Sequence, residues 1–235
     1  QDTVSVTAIP LPVANAGPDQ TVSVGTPVSL SGTNSINAAN FSWNINTAPQ
    51  GGTTTLNNAG TVAPSFTPNV AGNYIVTLTA TSAAGSMNQD TVSITAIALP
   101  VANAGPDQIV SVNTPVGLSG TGSTNTTGYS WSVTTAPPGG TTTLTGANTT
   151  TPGFTPNIAG LYIVTLTASN ATGSTHQDTV SISAIPLPVA NAGVDQTVSV
   201  NTLVSLSGAG STNAVSFSWS ITTSPPGGTI IVTGA

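Results

Sequence analysis

Apolar and polar residues alternate in short bursts along this chain, and Gly, Pro, Asn or Ser bounds each burst. Asp107–Val112 and Val116–Ser119 alternate with a period of two, the pattern of strands with one face buried. Asn113-Thr-Pro115 between them reads as a turn. Tyr129–Val133 alternates again and carries Trp131. Pro137-Pro-Gly-Gly140 interrupts the pattern, and Thr141–Leu144 and Gly153–Thr155 are predicted as short strands. Tyr162–Ala168 is the longest run and is rich in β-branched residues, and Thr179–Ala184 closes the set. No stretch carries a helical stripe. Roughly seven or eight short strands with turn residues between them predict a β-sandwich.

The whole pattern recurs. Val13–Val24, Val101–Val112 and Val189–Val200 read almost alike, each offset from the last by 88 positions. The same offset relates Trp43, Trp131 and Trp219, Tyr74 and Tyr162, Phe66 and Phe154, and Asp2, Asp90 and Asp178. A unit of this size holds its own core, unlike a solenoid repeat of roughly 20–50 residues, so the arrangement is beads on a string. The expected division is 1–9 as the last strand of a preceding repeat, 10–97 and 98–185 as whole repeats, and 186–235 as the first half of another. The chain is therefore expected to be an excerpt of a longer array. Completion of a neighbour by residues 1–9 as a donor strand fits poorly, because the last unit lacks any counterpart of Asn148–Ala184. Trp43, Trp131 and Trp219 on a central strand, and Tyr74 and Tyr162 opening a late one, sit where an immunoglobulin-like sandwich keeps its core Trp and corner Tyr. Phe66 and Phe154 complete the expected core set. The linkers Ile9-Pro-Leu-Pro12, Ile97-Ala-Leu-Pro100 and Ile185-Pro-Leu-Pro188 should be short, extended and stiff, because proline fixes φ. At about 3.3 Å per strand residue, each unit would be on the order of 35–40 Å long, and the array a semi-rigid rod.

Composition removes several functions. The chain has no Lys, Arg or Cys, one His and six acidic residues, for a formal charge of −6. Without cations it cannot neutralise phosphates, which argues against nucleic acid and anionic membrane surfaces as partners. No apolar run is long enough for a membrane-spanning helix, so membrane insertion is not expected. All six acids fall at two repeat positions, Asp2/Asp90/Asp178 and Asp19/Asp107/Asp195. Two charges per unit and no tryptic site suit exposure to an uncontrolled outside medium.

The motifs Ala102-Asn-Ala-Gly-Pro-Asp-Gln108, Ser130-Trp131, Phe154-Thr-Pro-Asn-Ile-Ala-Gly-Leu-Tyr162 and Asp178-Thr-Val-Ser-Ile182 resemble the PKD (polycystic kidney disease) domain family. The resemblance covers the chain three times over. It implies tandem immunoglobulin-like sandwiches of the PKD type, used as spacers or interaction modules in secreted or cell-surface proteins, largely bacterial and archaeal. Two departures matter. Many family members carry W-D-F-G-D-G where this chain has Trp131-Ser-Val-Thr-Thr-Ala-Pro-Pro-Gly139. The turns Asn34–Ala39, Gly122–Thr127 and Gly210–Val215 hold no carboxylate, so the family's calcium-binding turn is not carried over. Neither a metal nor any other cofactor is expected, and Asp19 and its counterparts read as caps of a turn or strand start.

Candidate chemistry is sparse. His176 is the one base near neutrality, and Asn88 stands at its counterpart, so it reads as a surface residue outside any repeated site. No Ser or Thr has a His–Asp partner suggested by the sequence, and no enzyme is expected. N-x-[ST] sequons at Asn40, Asn125, Asn148 and Asn170 are candidate but weak glycosylation positions, none recurring as a sequon in another unit. Clusters such as Thr53-Thr-Thr55 and Thr141-Thr-Thr143 read as β-propensity and uncharged solubility, with O-glycan attachment and a flat ice-binding face as alternatives. The expected function is a structural extracellular or cell-surface repeat protein, the shaft of a filament or stalk. Its partners would be like domains through self-association, or neighbouring cells and surfaces. The extender of an adhesin is the alternative, and accessory domains of a secreted hydrolase a more distant one.

Overall fold

Period-two alternation becomes two faces in the folded chain. In strand β5 (Gly72–Thr81), Tyr74, Val76, Leu78 and Ala80 turn inward with no exposed surface, while Ile75, Thr79 and Thr81 face outward. A computed structural model describes residues 1–228 and 231–233, and all its strands fall in the two complete repeats. The first unit adds β1 (Gln20–Ser23), β2 (Val28–Ser29), β3 (Asn40–Thr47), β4 (Ser65–Phe66) and β6 (Met87–Ile97). The second has β7 (Gln108–Ser111), β8 (Val116–Gly117), β9 (Gly128–Thr135), β10 (Gly153–Phe154), β11 (Gly160–Ser169) and β12 (Thr175–Ile185). No helix forms among the described residues.

Each unit is a two-layer sandwich. One sheet has the order β1-β6-β5-β3, with β1 parallel to β6 and the other pairs antiparallel; the facing layer is β2 with β4. The second unit repeats this as β7-β12-β11-β9 and β8-β10. Trp43, Ile45, Phe66, Tyr74, Leu78, Val92 and Ile94 fill the first core, and Trp131, Phe154, Tyr162, Leu166, Val180 and Ile182 the second. Burying such a side chain contributes about 1.5–3 kcal/mol each, so these rows hold the two layers together. Phe66 and Tyr74 pack with ring centroids 5.5 Å apart, as do Phe154 and Tyr162.

The polar ends of the core aromatics are all satisfied. Trp43 Nε1 donates to the Thr61 carbonyl and Trp131 Nε1 to that of Thr149, each at 3.1 Å. Tyr74 donates its hydroxyl to the Val70 carbonyl at 2.9 Å and Tyr162 to the Ile158 carbonyl at 3.0 Å, the corner expected of this sandwich. Two glycines make that corner possible. A Cβ at Gly72 would lie 2.6 Å from Pro49 Cγ, and one at Gly52 would lie 2.8 Å from the Tyr74 hydroxyl. Gly160 and Gly140 meet Pro137 and Tyr162 at the same distances. The Pro-x-Gly-Gly break and the Ala-Gly-x-Tyr motif thus interlock across the sandwich.

Two expectations are corrected. Thr141–Leu144 forms no strand: the Thr141 amide donates to Asn157 Oδ1 at 2.7 Å, and backbone pairing begins only at the Thr145–Gly153 bridge. Trp219 is half-buried where Trp43 and Trp131 are buried, because it has no counterpart of β11 to pack on. Residues 1–9 form no strand, and Val4 and Val6 are exposed, since no sheet lies beside them. The segment 186–228 keeps the Val189–Thr212 bridge but no strand. Of the half-repeat expected at 186–235, Thr229, Ile230, Gly234 and Ala235 lie outside the described residues.

Candidate functional site at the junction between units

The segment entering each unit runs beside the last strand before it joins the ladder. Its amides are met by side chains. Ala14 N donates to Asn88 Oδ1 and Ala16 N to Asp90 Oδ2, both at 2.8 Å. Asp19 Oδ1 then accepts the Ser93 amide at 2.8 Å, and backbone pairing starts at Gln20. The second unit repeats the arrangement: Ala102 N to His176 Nδ1 at 3.0 Å, Ala104 N to Asp178 Oδ2 at 2.8 Å, and Ser181 N to Asp107 Oδ1 at 2.8 Å. Both acidic positions are therefore acceptors for backbone amides, bonds strengthened by the charge. His176 does belong to a repeated site. Its Nδ1 occupies the place of the Asn88 Oδ1, each atom being bonded to Cγ, and it accepts the equivalent entering amide. This equivalence of Asn and His was missed because the two look unrelated as letters.

The linker is fixed from both sides. Val101 and Thr124 exchange two backbone bonds, of 3.0 and 2.9 Å. Asn125, at φ 54°, donates Nδ2 to the Leu99 carbonyl at 3.2 Å. Asn37 and Asn213, both at φ 57°, do the same for Leu11 and Leu187. Asn tolerates this left-handed backbone better than other side chains do, which explains its recurrence.

Across the junction lies a buried polar knot. Ser23, at the end of β1, is 3% exposed, and Asn170, in the turn between β11 and β12, is 5% exposed. Asn170 Nδ2 donates to Ser23 Oγ at 2.9 Å and to the Ala98 carbonyl at 3.0 Å. Ser23 Oγ also contacts Ser174 Oγ at 2.7 Å and Thr172 Oγ1 at 2.5 Å. Asn170 Oδ1 meanwhile accepts from Thr172 N, Thr172 Oγ1 and Ser174 N. One proton arrangement satisfies every group: Ser23 accepts from Asn170 and Ser174 and donates to Thr172, whose hydroxyl donates to Asn170. First unit, linker and second unit all contribute to the knot.

The candidate sequons separate accordingly. Asn40 and Asn148 are exposed, and Asn125 is exposed with its amide turned to Leu99. Asn170 is corrected: both amide hydrogens are spent in the buried knot, which leaves no room for a glycan. In the two complete units no aromatic is fully exposed; Phe41 and Tyr129 are half-buried against their cores. Among the described residues, no three His or Asp side chains come together.

A family described as K319L-like, PKD domain matches residues 16–96 and again 104–183. Among curated proteins, none matches the chain in sequence. Similar solved structures include the PKD domain from KIAA 1837 protein, at 22% identity over 41% of this chain and 93% of that one, TM-score 0.33. The PKD domain of human KIAA0319 is 15% identical over 42% of this chain and 93% of its own, TM-score 0.33. The titin I-band fragment I67–I69 is 14% identical over 77% of this chain and 68% of its own, TM-score 0.43.

Proposed function

Given that the chain belongs to the K319L-like PKD domain family, we propose that it is a structural repeat protein whose tandem sandwiches form the shaft of an extracellular filament or surface stalk. The observation that carries this reading is the junction. Two sandwiches and their linker share one hydrogen-bonded knot centred on buried Asn170 and Ser23, a use of polar groups suited to fixing one unit against the next. The repeated acids support it, since in both complete units they are spent on backbone amides. The absence of Lys and Arg fits an outside location, because it leaves nothing for a trypsin-like protease to cut.

Immunogold electron microscopy of the native source, with antibody raised against this chain, tests the proposal. The expected result is label along extracellular fibres or stalks at regular spacing. Label confined to the cytoplasm, or to isolated particles that never join a fibre, overturns it.

A further inference from the structure

The knot is asymmetric in a way that the repeat makes readable. Its receiving half is uniform: Ser23, Ser111 and Ser199 stand at the same repeat position, and every linker offers a carbonyl. Its inserting half is not. The second unit carries Asn170-Ala-Thr-Gly-Ser174, and the first carries Ser82-Ala-Ala-Gly-Ser86. Both turns close in the same way, with Ser82 N donating to Ser86 O at 2.9 Å and Asn170 N to Ser174 O at 3.0 Å. The backbone is shared, and only the side chains differ.

Those side chains decide how many bonds leave the turn. Asn170 has two amide hydrogens and sends one to Ser23 and one to the linker carbonyl of Ala98, while its oxygen organises the turn behind it. Serine has a single hydrogen and a shorter reach. Ser82 Oγ is already an acceptor within its own turn, from Ser86 N at 3.2 Å. Ala84, the counterpart of Thr172, offers nothing. A Ser-Ala-Ala-Gly-Ser turn therefore cannot serve hydroxyl and carbonyl together, and the contact supplied by Thr172 is missing.

We propose that the turn between the last two strands of each unit is a docking element for the preceding unit, and that its residues at the positions of Asn170 and Thr172 set the stiffness of that junction. The Asn-type turn locks two units into one rigid body. The Ser-type turn leaves a hinge. An array of near-identical sandwiches thereby carries stiff and compliant joints at addresses written in two residues per repeat. The lock concerns neighbouring units within one chain, so it stands or falls independently of what the array builds.

The chain has no cysteine, so pairs of introduced cysteines carry spin labels at chosen sites. Ser42→Cys with Ser130→Cys, both at exposed strand positions, reports the distance across the junction by pulsed electron spin resonance in the full chain. Ser29→Cys with Ser42→Cys reports a distance within the first unit as the rigid standard. The expected result is a cross-junction distribution as narrow as the standard. The double variant N170S/T172A rewrites the turn as the first unit's own sequence, one that folds in this same chain. It should broaden the cross-junction distribution while leaving the standard and the circular dichroism spectrum unchanged. The reciprocal S82N/A84T, which has no whole unit in front of it, should leave the cross-junction distribution unchanged. A broad distribution in the parent chain, or a narrow one in N170S/T172A, overturns the lock; neither outcome touches the extracellular shaft, which the microscopy decides.

Discussion

Removing one oxygen from the tyrosine corner isolates a single interaction in an otherwise intact core. In Tyr74→Phe the ring stays, and with it the 5.5 Å packing against Phe66. What goes is the hydroxyl that donates to the Val70 carbonyl at 2.9 Å and accepts the Val70 amide at 3.3 Å. The second bond is long and contributes little. The first is worth about 1 kcal/mol net, and leaving its half-buried carbonyl partner unsatisfied brings the cost to at most roughly 2 kcal/mol. For a domain of 60–100 residues each kcal/mol lowers the midpoint by about 4–8 °C, so the affected unit should melt at most about 8–16 °C lower. Tyr162→Phe should do the same to the second unit, since its geometry is the same. Differential scanning calorimetry of the full chain measures both. Tyr74→Ala must cost distinctly more, because it also opens a cavity worth about 3–5 kcal/mol in aromatic-to-alanine changes. A midpoint within about 2 °C of the parent for both Phe variants would refute the reasoning, since a part-buried bond worth about 1 kcal/mol should move it by more than that.

Other outcomes follow from the same contacts. His176→Asn should leave thermal stability unchanged, because Asn88 performs the same job in the first unit, whereas His176→Ala should cost about 1 kcal/mol by thermal denaturation. Asp90→Ala should cost about 1.5–3 kcal/mol, the range for a bond to a charged acceptor, reduced toward the lower figure by its partial exposure. Asn125→Ala should lower stability by about 1–2 kcal/mol, and Asn125→Gly by less, since glycine keeps the left-handed backbone and loses only the bond to Leu99. Trp43→Phe should destabilise strongly and Trp219→Phe hardly at all in this chain, as read by denaturant midpoints.

The strands were legible wherever one face meets a core and the other meets water. Tyr162–Ala168 announces itself because its alternate residues are the ones buried in β11. Thr141–Leu144 misled because β-propensity is a statement about surfaces that suit a sheet, and here the backbone turns its amide to Asn157 before any neighbour arrives. The tyrosine corner and the core Trp were readable from spacing, since each depends on residues near it in the chain. The acids were readable only as a pattern; what each accepts lies 74 residues away. The knot was not readable at all. Ser23 and Asn170 are 147 residues apart and meet only through the way one unit sits on the next, which no periodicity within a unit encodes.

With no Lys, Arg or Cys, this chain can join its units neither by Lys or Arg ion pairs nor by disulfides. It substitutes neutral side chains that bond to backbone: Asn to a linker carbonyl, Asn or His to an entering amide, Ser and Thr to each other across the joint. The consequence is physical. Salt screens charge over roughly 8 Å at physiological ionic strength, but neutral hydrogen bonds inside a closed joint are not subject to it. The carboxylates that remain are each bound to an amide in the complete units, so even they act as local acceptors and not as a field. A joint built this way keeps its geometry in media of very different ionic strength. That property belongs to no single unit and arises only where one unit follows another.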